Sequence, residues 1–273
     1  MSVSPTARAR ERAPGTRGHA APGRMVAAPT LERAVAQARA RDRRVVGMDV
    51  AGQRFWVKFA RGKRWAVQVS KGDPRRALAQ EVALLRAMGA RGAPVAELVA
   101  VGTDHYVTRD AGPTLAAMLA TAADDPALPD RLAAAGRALA ALHRLGMAHG
   151  RPYLRDLCWQ EATREVSFID VERGARLEAG PRRRARDVAL LVMSIFALVP
   201  DARGATLADA FLAAYFAAAP PGMRAACAGF ARRWRWLAVV TAPLRWHEAR
   251  FRPNRRWKEY TAVPLTLARL RRG

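Results

Sequence analysis

The segment from His149 to Glu172, HGRPYLRDLCWQEATREVSFIDVE, constrains the fold more than any other stretch of the chain. It opens on His-Gly, passes through a polar, turn-forming middle, and ends in an apolar run (Val166, Phe168, Ile169) that delivers Asp170. Read in order, that is a loop, a β-hairpin and a carboxylate at the end of a strand. With 273 residues, 51% of them hydrophobic, the chain is long enough to bury a core around this segment as one large or two small domains.

The formal net charge of +24 points to an anionic partner: nucleotide phosphates, nucleic acid, an anionic lipid surface or a phosphorylated sugar. Charge alone does not choose among them, and an Arg-rich surface without a specific ligand remains an equal reading. Cys158 and Cys227 lie far apart with no metal-spaced neighbours, which predicts neither a disulfide framework nor a zinc site. The apolar run Val188–Pro200 is shorter than the ~20 residues of a membrane-spanning helix. The Arg-containing N-terminus has no apolar core of a secretory signal, so a cytoplasmic location is expected.

Residues 1–28, rich in Arg, Ala, Pro and Gly without hydrophobic period, are expected to form a disordered basic tail, with Met25 as an alternative start. Thr30 is expected to cap a helix Leu31–Arg41, followed by strands Val45–Val50 and Arg54–Phe59 about the turn Ala51-Gly52-Gln53. Lys58 stands on the second strand, with the bland reading of a solvated edge residue beside a functional one. In Lys71-Gly72-Asp73-Pro74, Asp73 and Pro74 start a helix whose apolar stripe is Leu78, Val82 and Leu85, with Glu81 alongside. Gly92–Pro94 breaks it, and Val95–Val101 and His105–Thr108 read as further strands before the joint Asp110-Ala-Gly-Pro-Thr114.

Leu128–Leu145 reads as a helix with Leu132, Leu139 and Leu142 on one side, and its His143 reads as a packed core histidine. Asp187 is expected to cap an apolar helix, Val188–Leu198. From Leu207 the chain reads as helices broken at Pro220-Pro221, Pro243, Pro253 and Pro264. Here Arg232–Trp236, Arg245-Trp246 and Arg255–Lys258 interleave cations with indoles, a pairing that suits bases, a lipid headgroup zone or a sugar phosphate, as well as a plain core-and-rim pattern.

Taken together, WVK (56–58), the KGDP helix with Glu81, DAGPTL (110–115), ALHRLGMAHGRPYLRD (141–156), FIDVE (168–172) and RARDVALL (184–191) resemble the bacterial lipopolysaccharide-kinase family, the Kdo and heptose kinases of the inner core. The resemblance spans roughly residues 30 to 200 and implies an α+β, protein-kinase-like fold. A strand-rich N-lobe would occupy 29–110 and a larger helical C-lobe 111–273. It also implies ATP and Mg²⁺ as cofactors and a sugar or lipid-sugar acceptor. Lys58 would meet the α/β-phosphates, Glu81 would position Lys58, and the adenine would bond to backbone groups near Thr108–Asp110, as at a kinase hinge. His149 would belong to the catalytic loop, Asp156 and Asp170 would hold Mg²⁺, and Asp187 would brace the loop. The chain departs from the loop pattern H-R-D-L-x-x-x-N in two places: Arg151 stands where the catalytic Asp is expected and Asp156 where the Asn is expected. No glycine-rich G-x-G-x-x-G loop precedes Lys58.

These features lead to an expected kinase at the cytoplasmic membrane face, with the basic C-terminal third in salt-sensitive peripheral contact with anionic membrane. The alternatives are a catalytically impaired pseudokinase, motivated by Arg151, and a basic helical protein that binds nucleic acid, motivated by the charge and the Arg/Trp clusters.

Overall fold

Alternation of apolar and polar residues in the first hairpin determines which side chains can reach a cleft. In this computed structural model, which describes residues 27–61, 73–122, 124–171, 174–251 and 259–272, a helix α1 (Ala28–Arg39) precedes strands β1 (Val45–Val50) and β2 (Gln53–Phe59). The hairpin turns at Ala51-Gly52, both with positive φ (51° and 75°), the geometry that matches the twist of paired strands. On β2, Phe55, Val57 and Phe59 point to one face and pack with Leu31, Val35 and Ala38 of α1. Period two therefore sends Trp56 and Lys58 to the opposite face. Helix α1 starts at Ala28, earlier than expected, because Pro29 suits a first turn; Thr30 lies inside that turn and donates its N–H to the Ala27 carbonyl.

Asp73 accepts the Arg75 N–H and caps α2 (Pro74–Ala90), whose buried stripe is Leu78, Glu81, Val82, Leu85 and Met88. Strands β3 (Leu98–Val101) and β4 (His105–Arg109) complete an antiparallel sheet in the order β1-β2-β4-β3. The third strand is shorter than the expected Val95–Val101. Its first residues pair elsewhere: the Ala96 N–H donates to the Phe168 carbonyl and the Phe168 N–H to the Pro94 carbonyl, tying the sheet to the second hairpin.

The larger part is helical. Thr114 caps the short α3 (Leu115–Thr121), and α4 (Leu128–Arg144) leads to the His149 loop. After one 3-10 turn (Leu154–Asp156) come β5 (Leu157–Gln160) and β6 (Glu165–Phe168), paired as the expected hairpin. Helix α6 (Ala202–Ala218) then packs along α4, and α5 (Pro181–Leu198) packs against α6 and α7 (Met223–Arg233) in the same core. Gly136 lets α4 and α6 approach closely, since a Cβ there would lie 2.4 Å from the Phe211 carbonyl oxygen. Two short helices, α8 (Trp236–Val240) and α9 (Ala242–Phe251), and a last one, α10 (Val263–Arg272), end the described chain. Pro243 and Pro264 sit in first turns of α9 and α10, where proline starts a helix.

One expectation changes here. Helix α5 begins at Pro181, so Asp187 lies within it and is fully buried, and does not cap it. The cause is Gly180-Pro181, which starts the helix before the basic run ends. Cys158 and Cys227 are both free and buried. Residues 1–26 of the expected tail, Lys71-Gly72, Glu172 and the Arg255–Lys258 cluster lie outside the described residues, whereas Ala27 and Ala28, also expected in the tail, form the N-cap and first residue of α1.

Candidate active site

A lysine ammonium is costly to bury unpaired, and Lys58 is buried on β2 where two carboxylates meet it. Lys58 Nζ lies 2.6 Å from Glu81 Oε1 on α2 and 2.5 Å from Asp170 Oδ1 just after β6. The Tyr106 hydroxyl, directly across the β2–β4 pairing from Lys58, donates to the same Glu81 oxygen at 2.7 Å. Burial raises the Glu81 pKa, only partly offset by the Lys58 charge and the two donors. At Asp170 burial pushes the same way, but Lys58, with Arg44 and His149, outweighs it and holds the carboxyl below its ordinary value. Tyr106, buried beside Glu81, is raised well above the usual phenol range. Asp170 also has φ of 56°, a left-handed conformation rarely adopted outside glycine and sustained by the surrounding structure.

The loop that faces this set is held from beneath by α5. Asp187 Oδ2 accepts the His149 N–H at 2.7 Å and Oδ1 accepts the Gly150 N–H at 3.0 Å. His143 stands 3.5 Å from Asp187 through Nε2, and its Nδ1 is 2.8 Å from the Tyr215 hydroxyl; burial, opposed by Asp187, lowers its pKa. That is the packed histidine expected from the sequence. Gly150 has φ of 91°, and a Cβ there would lie 2.1 Å from the Gly174 backbone, so no other residue fits beside Arg151.

His149 is placed under the cavity and not in its wall. It is buried, its Nε2 is 3.2 Å from the Ile169 carbonyl oxygen, and its ring packs on Phe168. It is not among the residues that line the cavity. Asp156 ends the 3-10 turn, where Oδ2 accepts the Tyr153 N–H at 3.1 Å. Burial raises its pKa against that hydrogen bond, and the nearby Asp170 charge raises it further. Arg151 is exposed, with its guanidinium 5.8 Å from the Tyr153 ring centre; Arg155 stacks on the same ring at 4.8 Å.

These elements enclose a cavity of about 410 Å³ whose wall includes Lys58, Tyr106, Thr108, Asp110, Asp156 and Asp170. The structure thus brings six of the nine singled-out residues near one space, counting Glu81 behind Lys58 but leaving Arg151, His149 and Asp187 outside the wall. Larger hollows of about 850 and 720 Å³ lie along α2, but neither contains a lysine or a pair of facing carboxylates. At the cavity's far side Asp110 accepts the Trp56 indole N–H at 2.5 Å. The N–H groups of Arg109 and Asp110 are already given to the Glu97 and Arg54 carbonyls. Cys158 also lines the wall, but burial, then Asp110 and Asp156, push its thiol up to about 12, so it offers no thiolate.

Among the described residues no cluster of three or more His, Cys, Asp or Glu side chains is placed to hold a metal ion unaided. Tyr106 and the cavity-lining Arg44 and Arg155 were not singled out from the sequence. Tyr106 was within reach, since it shares with Thr108 the face of β4 opposite Val107.

A protein of Haemophilus influenzae described only as uncharacterized is 26% identical over 133 residues, which is 48% of this chain and 54% of the relative, so the chain spans about half the length of the curated relative it matches. Residues 42–186, just over half of the sequence, match the phosphotransferase enzyme family APH. The match runs from before β1, through the lysine–carboxylate set and the His149 loop, to the residue before Asp187. With its small antiparallel sheet and larger helical part, the chain has a kinase-like α+β fold and belongs to the APH phosphotransferase enzyme family.

Proposed function

We propose that this phosphotransferase moves the terminal phosphoryl group of ATP, with Mg²⁺, to a sugar or lipid-sugar acceptor at the cytoplasmic membrane face. That is the activity of the lipopolysaccharide core kinases whose motifs it resembles. One observation carries the reading: a buried lysine is held at the cavity wall between Glu81 and Asp170, at 2.6 and 2.5 Å. A lysine so placed keeps Glu81 and exchanges Asp170 for phosphate oxygens when a nucleotide enters, which frees the Asp170 carboxylate. Asp170 and Asp156 are the residues to hold Mg²⁺. Both are hard oxygen donors in one wall, and Mg²⁺ takes one or two carboxylates plus substrate phosphates, so a protein cage of three or more ligands is not required. The ion, when bound, supplies neutralisation of the phosphate charge. Thr108 and Asp110 flank the space for the nucleobase; with the Arg109 and Asp110 N–H groups engaged, its polar edge meets the chain at Ala111 and Gly112 in the same wall.

Arg151 occupies the place of the usual base. In the loop pattern Arg151 stands at the position of the Asp, directly after the two amides that Asp187 accepts. An arginine there cannot accept a proton from a hydroxyl. It can hold an anionic acceptor group, and with Arg155 on the same tyrosine it makes a cationic approach to the cavity. The same observation favours a second reading, a pseudokinase that binds nucleotide without turnover. A basic helical nucleic-acid binder has no use for a buried lysine tied to two carboxylates, and we set it aside for that reason. No helix among the described residues is long and apolar enough to cross a membrane.

Incubation with Mg²⁺ and labelled ATP, with and without deacylated lipopolysaccharide core, separates these readings. Acceptor-dependent label incorporation is the result expected. Saturable Mg²⁺-ATP binding with no incorporation into any sugar acceptor would establish the pseudokinase, and absence of nucleotide binding would overturn both.

A further inference from the structure

Helices α8 and α9 break the burial rule that the rest of the chain obeys. Within sixteen residues, Trp236 is 49% exposed, Val239 74%, Val240 58%, Leu244 52%, Trp246 66% and Phe251 59%, and α8 buries no residue at all. Exposed apolar side chains scattered singly need no explanation, but six within sixteen residues, with the Trp246 and Phe251 rings in contact, mark an interaction surface. The surface is preformed. The Thr241 hydroxyl, itself buried, donates to the Leu237 carbonyl at 2.7 Å, Arg245 donates to the Ala238 carbonyl at 3.2 Å, and the Trp246 and Phe251 rings meet edge to face.

Charge selects the occupant. Arg232, Arg233, Arg235, Arg245 and Arg250 fall in the same stretch, against one acid, Glu248, which accepts the Tyr260 hydroxyl at 3.0 Å. Two copies of this face would bring arginines against arginines, whereas the core of a protein interface is poor in charge. Stacked bases would suit the indoles but leave Val239, Val240 and Leu244 without apolar cover. A bilayer surface with anionic headgroups suits all three features: phosphates for the arginines, the headgroup boundary for the indoles, and the upper acyl region for the aliphatic side chains.

We infer that α8 and α9 form a membrane-docking surface that inserts Val239, Val240, Leu244, Trp246 and Phe251 into the boundary of an anionic bilayer while Arg233, Arg235 and Arg250 meet lipid phosphates. The inference deepens the membrane-face part of the reading above. It differs from the expected purely electrostatic, salt-sensitive contact, because insertion is not screened by salt.

The test is sedimentation of the full chain with vesicles of phosphatidylglycerol and phosphatidylcholine, or of phosphatidylcholine alone, at about 0.1 and 1 M salt. Brominated lipids report tryptophan depth in parallel. Binding to the anionic vesicles is expected to weaken at high salt without vanishing, with tryptophan quenched in both salts. Trp246→Ser with Phe251→Ser should reduce partitioning about tenfold or more and remove the salt-resistant part. Arg233→Glu with Arg235→Glu should reduce binding at low salt only. All four positions are exposed, so each variant should keep the unmodified Mg²⁺-ATP thermal shift. Absence of vesicle binding by the unmodified chain, with that shift present, sinks this inference and leaves the nucleotide reading standing. Equal binding to neutral and anionic vesicles, unaltered binding by the serine variant, a dimer dissociated by that variant, or co-purifying nucleic acid released by it would each overturn the proposal.

Discussion

The Lys58 cavity and the α8–α9 surface invert each other. At the cavity, Lys58 and Glu81 are buried and Asp170 half-buried, and Lys58 meets both carboxylates at hydrogen-bonding distance; on α8 and α9, apolar groups are exposed and cations outnumber acids. Both arrangements are unfavourable on their own. A buried charge requires compensation, and exposed apolar area forgoes roughly 25 cal/mol per Å². The cavity resolves its cost internally, through Glu81, Asp170 and Tyr106, and therefore contributes to folding cooperatively. The helical surface has no internal compensation, so removal of its side chains should leave stability nearly untouched. The contrast predicts opposite signatures for mutations in the two places.

The largest stability effect is expected from Lys58→Met. It leaves Glu81 and Asp170 facing each other without a cation, and breaking a buried pair typically costs about 3–5 kcal/mol, a fall in melting temperature on the order of 10 °C. A loss below about 1 kcal/mol, read by urea unfolding, would mean that the pair is not closed in solution and that the two regions are less different than described. Next comes Asp187→Ala, which strands the His149 and Gly150 amides; each buried unsatisfied donor costs about 1–3 kcal/mol. Hydrogen exchange should show the loss concentrated in the 148–156 loop, whereas exchange raised uniformly would place Asp187 in general packing only.

How much of this was legible in the sequence differs by region for a physical reason. Lys58, Glu81, Asp170 and Asp187 stand at positions fixed by strand alternation, helix period and the motif order, and those short-range rules locate them. The role of Asp187 as a cap did not hold, because the Gly180-Pro181 start lies beyond the apolar run that marked the helix. Strand alternation puts Tyr106 on the Thr108 face of β4, but its partnership with Lys58 and Glu81 depends on a long-range register that alternation does not give. The Arg/Trp interleaving was visible, but burial of its rings was not. Trp234 is partly buried against the core while Trp236 and Trp246 are exposed, and only tertiary packing decides between them.

A smaller, signed effect is expected at Asp156. Its folded pKa is raised above 3.8, by burial first, so it favours the fold while protonated and that contribution is lost as pH rises from the ordinary carboxylate range through the raised value. Asp156→Asn should remove this slope and make the nucleotide-free protein slightly more stable at neutral pH. Asp170, with its pKa lowered, behaves oppositely: its contribution is present above 3.8 and lost as pH falls through the lower folded value. Urea unfolding of the unmodified protein and the Asp156→Asn variant between about pH 4 and 8 checks the Asp156 sign, and identical slopes in the two proteins would contradict it. Smallest of all, Trp246→Ser should change stability by less than about 0.5 kcal/mol, as for an exposed site. A larger loss would show that the ring packs in the core and that the comparison fails on its apolar side.

The central claim, that the Lys58 cavity receives Mg²⁺-nucleotide, is tested most directly by thermal denaturation with ATP in Mg²⁺ or in EDTA, for the unmodified chain and for Asp170→Asn. Binding to the folded state at about a hundredfold excess over Kd adds about 2.7 kcal/mol. The account predicts a melting-temperature rise with Mg²⁺-ATP that EDTA removes and that Asp170→Asn abolishes. An equal rise in Asp170→Asn, or none in the unmodified protein at millimolar Mg²⁺-ATP, would contradict it.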